Sequence, residues 1–242
     1  MKGERTERVR FGLILVAAGV LAAGLCLAGQ AAANPINISA SVGGVPAGAD
    51  HYENFDSLPL GSAGGTTSSG LVVSFQPDGS AVTGAASGLY AAPYLSNNNG
   101  TLFGDTSNGP DATTYLTSGL GKVILDFSGS ERYLGLLWGS VDPGNTLTFY
   151  FGGVEQGAIT GFDVTALANG DQGASGTFYV NINTAFLFDK IVATSSAYSF
   201  EFDNVAYAAN PVGVPEPGEI GLFLLGLLLV GSGYRYHKRK LV

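Results

Sequence analysis

The stretch YLGLLWGSVDPGNTLTFYF, residues 133–151, decides the reading of the fold. Residues 133–138 and 147–151 are short apolar and aromatic runs, and Asp142, Pro143, Gly144 and Asn145 between them carry turn chemistry. Two such runs around a turn predict a hairpin. The same character extends outward in both directions. Residues 71–75 and 123–127 are apolar or alternating runs. Phe178, Val180 and Ile182 alternate with Tyr179, Asn181 and Asn183, while Tyr198, Phe200 and Phe202 interleave with Ser199, Glu201 and Asp203. Period-two alternation of aromatic and β-branched residues predicts half-buried strands. No helical period is sustained in the middle of the chain; residues 162–168, opened by Asp163 as a cap, predict one short helical turn. The expected fold of residues 34–213 is therefore all-β, an antiparallel, jelly-roll-like β-sandwich. No fixed internal period is present, which argues against a solenoid or propeller. Residues 61–70 and 96–110 read as exposed loops, and the prolines of 212–217 as a short, stiff linker.

The two ends are unlike this middle. Lys2, Arg5, Arg8 and Arg10 precede an apolar run over 11–27, followed by small residues that include Ala31, Ala32 and Ala33. A basic region, an apolar core and an A-x-A site at Ala31 to Ala33 read as a secretory signal peptide over residues 1–33, a substrate of signal peptidase. An uncleaved anchor is the alternative, since the apolar run is slightly long. Cys26, the single cysteine, is preceded by Leu25 rather than the small residue a lipidation site needs. Cleavage near Ala33 removes it, and with it disulfides, thiol nucleophiles and thiolate metal sites.

Charge narrows the partners. Of the 19 acidic residues only Glu4, Glu7, Glu216 and Glu219 lie in the ends, and the middle keeps only Lys122, Arg132 and Lys190 of the 11 basic ones, so it stands near −12. Such a surface repels nucleic acid and anionic headgroups and attracts divalent cations.

The C-terminus has three parts. Val214, Pro215, Glu216 and Pro217 come first, then an uncharged Leu- and Gly-rich stretch over 220–234, then a basic cluster containing Arg235, Lys238, Arg239 and Lys240. The stretch spans roughly 22 Å as a helix, short of the ~30 Å hydrocarbon core. The long basic side chains snorkel to the headgroups and the positive-inside rule places them in the cytoplasm, with the acidic middle outside. A buried helix of the folded domain is the alternative, but the leucines leave no polar face. A single transmembrane helix is the expectation.

This arrangement resembles the PEP-CTERM sorting signal, over residues 214–242. The resemblance implies processing by an exosortase at the inner membrane of a Gram-negative bacterium that makes exopolysaccharide, with Pro215, Glu216 and Pro217 as substrate residues. It also implies delivery to the cell surface or extracellular matrix. The runs 52–56, 91–95, 137–142 and 202–205 are similar to a family of exosortase-dependent surface proteins without an established activity.

Catalytic motifs are scarce. The middle holds one histidine, His51, which reads as a surface or strand-edge residue, so a Ser-His-Asp triad and the usual zinc sites both lack ligands. No G-x-S-x-G elbow is present, and 119–122 lacks the spacing of a phosphate loop. A glycoside hydrolase needs two placed carboxylates, and the sequence does not single out a pair. The expectation is a non-enzymatic surface protein without an organic cofactor. A structural calcium is the one cofactor considered, with Glu53 and Asp56 near the domain start and Asp203 near its end as candidate ligands, because acids and amides in loops suit that ion. The rival readings are a carbohydrate-binding module, using calcium or the aromatic faces of Tyr133, Trp138 and Tyr150, and a secreted glycoside hydrolase. In strands such aromatics more commonly belong to the core.

Overall fold

A computed structural model describes residues 35–213 with the exception of Thr106. The signal segment with Cys26, Ala31 and Ala33 lies outside the described residues. So does the tail with Val214, Pro215, Glu216, Pro217, Arg235, Lys238, Arg239 and Lys240. Among the described residues no helix is long and apolar enough to cross a membrane.

Strands are the dominant regular structure of the described chain. In order come β1 (Ile36–Ser41), β2 (His51–Glu53), β3 (Gly65–Thr66), β4 (Val72–Phe75), β5 (Ser80–Val82), β6 (Tyr94–Leu95), β7 (Gly109–Pro110) and β8 (Tyr115–Thr117). They are followed by β9 (Lys122–Gly139), β10 (Asn145–Phe151), β11 (Val154–Thr160), β12 (Phe178–Ser195) and β13 (Glu201–Ala208). Eleven of these strands form one antiparallel sheet, and β6 pairs with β7 separately. The all-β, antiparallel expectation therefore holds.

The sheet is organised by β9 and β12, each 18 residues long. The second half of β9 pairs with the first half of β12, from Trp138↔Phe178 to Tyr133↔Asn183, and the two remaining halves pair from Lys190↔Asp126 to Thr194↔Lys122. Between these runs the register breaks twice. The breaks change the parity of the inward side chains: Val123, Leu125 and Phe127 precede the interruption in β9, and Leu134, Leu136 and Trp138 follow it. All six join one core cluster, together with Val180, Ile182, Phe188, Ile191 and Ala193 of β12. A one-residue slip exchanges the two faces of a strand, so an irregular segment that resets the parity lets both halves keep their apolar side on the same core.

The sequence reads 123–127 and 133–138 as separate runs because of that parity change; they are one strand. The expected hairpin of 133–138 with 147–151 does not form. The turn itself closes, with Asn145 N donating to Asp142 O at 3.1 Å. However, β12 lies between β10 and β9 in the sheet. The second half of β9 already has β12 on one side and β13 on the other, so it offers β10 no free edge. The chain leaves the turn and pairs with the far half of β12 instead, Leu147 opposite Ala193.

Three further expectations are corrected. The helical turn is α1 (Gly161–Val164), and its N-cap is Thr160, whose N and Oγ1 donate to Asp163 Oδ2 at 2.7 and 2.8 Å; Asp163 is the N3 residue of a capping box. Residues 96–110 are not simply exposed: Asn99, Phe103 and Asp105 are buried, around a 3₁₀ turn at Thr101–Phe103. Strand β13 is buried along its whole length rather than on one face. Its core side carries Phe202, Val205 and Tyr207, and its other side is covered by the segment that contains Leu95 and Phe103. Near the end of the described residues Val212 is held by Asn183, whose Oδ1 accepts from Val212 N and whose Nδ2 donates to Val212 O, both at 2.9 Å.

Candidate metal centre

The far side of β13 carries the acidic residues. Pairing with β9 shifts between Asp203↔Leu137 and Ala206↔Gly135, so β13 holds one extra residue there. Asn204 sits in the left-handed region at φ 50°. In a regular strand Asp203 and Asn204 point to opposite faces; an inserted residue at positive φ re-aims one of them. Both consequently meet Asp105: Asn204 Nδ2 donates to Asp105 Oδ2 at 3.1 Å, and Asp203 offers an oxygen to the same cluster.

Asp105 and Asp111 come from the covering segment. Asp105 N donates to Gly100 O at 3.1 Å after the 3₁₀ turn, and a Cβ at position 100 would stand 2.5 Å from Asp105 Cβ. Glycine is therefore required for this close approach. Asp111 follows β7 and is fixed at both ends. Its N donates to Pro93 O at 2.8 Å, and its Oδ1 accepts from Thr113 N at 2.8 Å and Thr113 Oγ1 at 2.6 Å. One carboxylate oxygen from each of Asp105, Asp111 and Asp203 lies within 4.8 Å of the other two, and all three residues are buried.

What distinguishes the cluster is its unmet hydrogen-bonding capacity. Both oxygens of Asp203, Oδ2 of Asp111 and Oδ1 of Asn204 are buried without a hydrogen-bond partner. Asp203 is 0% exposed. Burial, followed by the neighbouring Asp111 and Asp105, holds its carboxyl well above the usual range. Burial also raises Asp105, opposed by the Asn204 bond and reinforced by the charges of Asp111 and Asp56. An uncompensated buried carboxylate costs several kcal/mol, so such a group is ordinarily paired, protonated or bound to a metal.

Of the ligands expected from sequence, only Asp203 belongs to this cluster. Strands β2 and β13 do lie side by side, with Glu53 opposite Val205. Glu53 nevertheless uses both oxygens within the fold, accepting from Phe55 N at 3.0 Å and Ser69 Oγ at 2.9 Å. Asp56 is exposed and accepts from Thr114 N at 3.0 Å and Asn54 Nδ2 at 2.9 Å; it reaches the cluster only through its charge on Asp105. Asp105 was hidden in the segment 96–110, read as an exposed loop, and Asp111 directly follows that segment. The density of Asn, Asp and Gly over 96–111 was the available signal.

A second polar constellation adjoins the other end of β13. Glu201 is buried and accepts from Ala91 N at 3.0 Å, Ser199 Oγ at 3.2 Å and Ser140 Oγ at 2.6 Å. It borders a hollow of about 170 Å³ with Ser140, Asp142, Gly170, Tyr90 and Tyr198. Burial raises both Glu201 and Asp142. A second hollow of about 200 Å³ shares Tyr90 and Tyr198 and is bordered by Asp78, whose Oδ2 accepts from Tyr198 Oη at 2.6 Å. Each hollow is smaller than the ~300–1,000 Å³ of small-molecule clefts.

The aromatics singled out in the sequence do not form an exposed row. Trp138 is fully buried and stacks on Phe200 with centroids 4.3 Å apart. Tyr133 is buried and donates to Asn181 Oδ1 at 2.6 Å; Tyr150 alone is half-buried. His51 is exposed on β2 and stacks on Tyr207 at 4.8 Å. Compared with models of known protein families, with curated proteins and with solved structures, the chain matches none.

Proposed function

We propose that this is a non-enzymatic surface or matrix protein, exported by its N-terminal signal and sorted by an exosortase through the PEP-CTERM-like tail at 214–242, into an envelope rich in exopolysaccharide. The folded part is read as a jelly-roll-like sandwich, a reading supported by the single core cluster that both halves of β9 and β12 share. The observation that carries the non-enzymatic reading is the saturation of Glu201. It is a buried carboxyl that borders a hollow, and three donors of its own fold already occupy it. A general acid needs a proton held toward substrate and an unobstructed approach; Glu201 instead ties together Ala91, Ser140 and Ser199.

The test of sorting is deletion of residues 214–242 followed by fractionation of the producing cells. The truncated chain is expected in the medium or periplasm. Retention in the envelope at the level of the full chain overturns the sorting reading.

A carbohydrate-binding role is the second reading, favoured by Tyr198. This residue is 42% exposed, and Asp78 fixes its ring at the boundary of the two hollows. Affinity electrophoresis of the full chain in gels containing the host exopolysaccharide addresses it: retardation that Tyr198→Ala abolishes supports the reading, and unaltered mobility of the unsubstituted chain ends it.

A further inference from the structure

We infer that Asp105, Asp111 and Asp203 form a binding site for a divalent cation, calcium in preference to magnesium, with the side-chain oxygen of Asn204 as a further ligand. The site is independent of how the chain is sorted. Its first support is geometric. The three carboxylates present oxygens within 4.8 Å of one another. Two oxygens on opposite sides of one calcium ion, each bonded at about 2.3–2.6 Å, stand roughly 4.6–5.2 Å apart, so a single ion reaches all three.

The second support is the set of unmet oxygens. A proton shared between Asp203 and Asp111 is the competing arrangement, and it would satisfy one oxygen on each. It leaves the other Asp203 oxygen and Asn204 Oδ1 buried without a partner. A cation meets all four together, because each is an acceptor and each belongs to a residue at most 1% exposed.

The donors select the ion. They are oxygens only, with no thiolate or imidazole among them, which suits a hard cation. Magnesium keeps several waters in its octahedral shell, whereas calcium accepts six to eight oxygens in irregular geometry and tolerates bidentate carboxylates. A site lined by residues this deeply buried has little room for retained waters, and so favours calcium. The fold also supplies ligands from two elements, β13 and the covering segment. A bound ion therefore joins 105–111 to the central sheet.

The experiment uses the full chain in detergent, stripped with a chelator and titrated calorimetrically with calcium chloride or magnesium chloride, with thermal unfolding followed in parallel. One binding event is expected for calcium, at sub-millimolar affinity. A rise in Tm of about 5–10 °C should accompany it at a calcium concentration a hundred-fold above Kd. Asp111→Asn should weaken binding at least ten-fold; it lies in a loop and keeps the Oδ1 acceptor for Thr113, so it is the variant most able to fold. Asp203→Asn should remove binding. If that variant fails to fold, the unsubstituted chain and Asp111→Asn still decide the matter. Absence of both heat and a Tm change at about 10 mM calcium overturns the site. Equal responses to magnesium overturn the choice of ion, and unchanged affinity in Asp111→Asn overturns the ligand set.

Discussion

Glu131 is buried in β9 beside a register break, opposite Phe188. Burial raises its carboxyl above the usual value, the positive potential of His51 opposes this, and Asp50 adds to it. The folded state thus binds this proton more tightly than the unfolded chain. The penalty for ionising Glu131 is present above its folded pKa and is relieved as pH falls through that value toward the unfolded 4.5. Glu131→Gln is expected to flatten this part of the pH dependence and to equal or exceed the parent in stability at pH 7. Urea midpoints measured between pH 4.5 and 7 provide the check; an unchanged slope contradicts the assignment. Asn204 supplies a second prediction at this scale. Its φ of 50° is open to Gly and Asn and strained for a β-branched residue. Asn204→Val should be less stable than Asn204→Gly by about 1–2 kcal/mol, measured with a chelator present so that ion binding does not enter.

Among the elements, β9 and β12 carry the architecture, and β10 tests it. The parity change within β9 hides a single strand behind two apparently separate runs, and a strong turn at 142–145 suggests a pairing that the sheet does not use. Thr148 faces Val192 across β10 and β12. In a chain with Cys26 replaced by Ser, cysteines introduced at 148 and 192 should crosslink on mild oxidation. Failure to crosslink, together with a crosslink between positions 147 and 137, would restore the hairpin. The core side of the same strands is tested by Trp138→Ala, which removes a fully buried indole stacked on Phe200. A loss of about 3–5 kcal/mol in unfolding free energy is expected.

For the whole molecule, the last described residues are tied to the β domain. Asn183 holds Val212 through two hydrogen bonds, and the proposed sorting tail begins just beyond, at Val214. Removal of residues 214–242 should leave the unfolding midpoint of the β domain essentially unchanged. Removal from 210 onward should cost about 1 kcal/mol, because the half-buried Asn183 loses both partners. Equal stability of the two truncations would show that the Val212 contact contributes nothing. An unchanged midpoint would make the fractionation test a reading of destination alone.

The residue pattern alone determined the all-β class, most of the strand segments, and the poverty of nucleophile and zinc chemistry in the middle of the chain. These depend on local periodicity, composition and short contiguous motifs, which a linear chain displays directly. Only the tertiary structure decided which strands pair and which acids meet. Asp203 is far in sequence from Asp105 and Asp111, and no local spacing announces that the three meet. They converge because an extra residue in β13 turns Asp203 and Asn204 to one side, and because a glycine at 100 lets the covering segment fold closely around Asp105. Glu53 and Asp56 looked equally acidic in the sequence, but in the fold their oxygens are already occupied by backbone and side-chain donors. Whether a carboxylate is left with capacity to bind an ion depends on its neighbours in space.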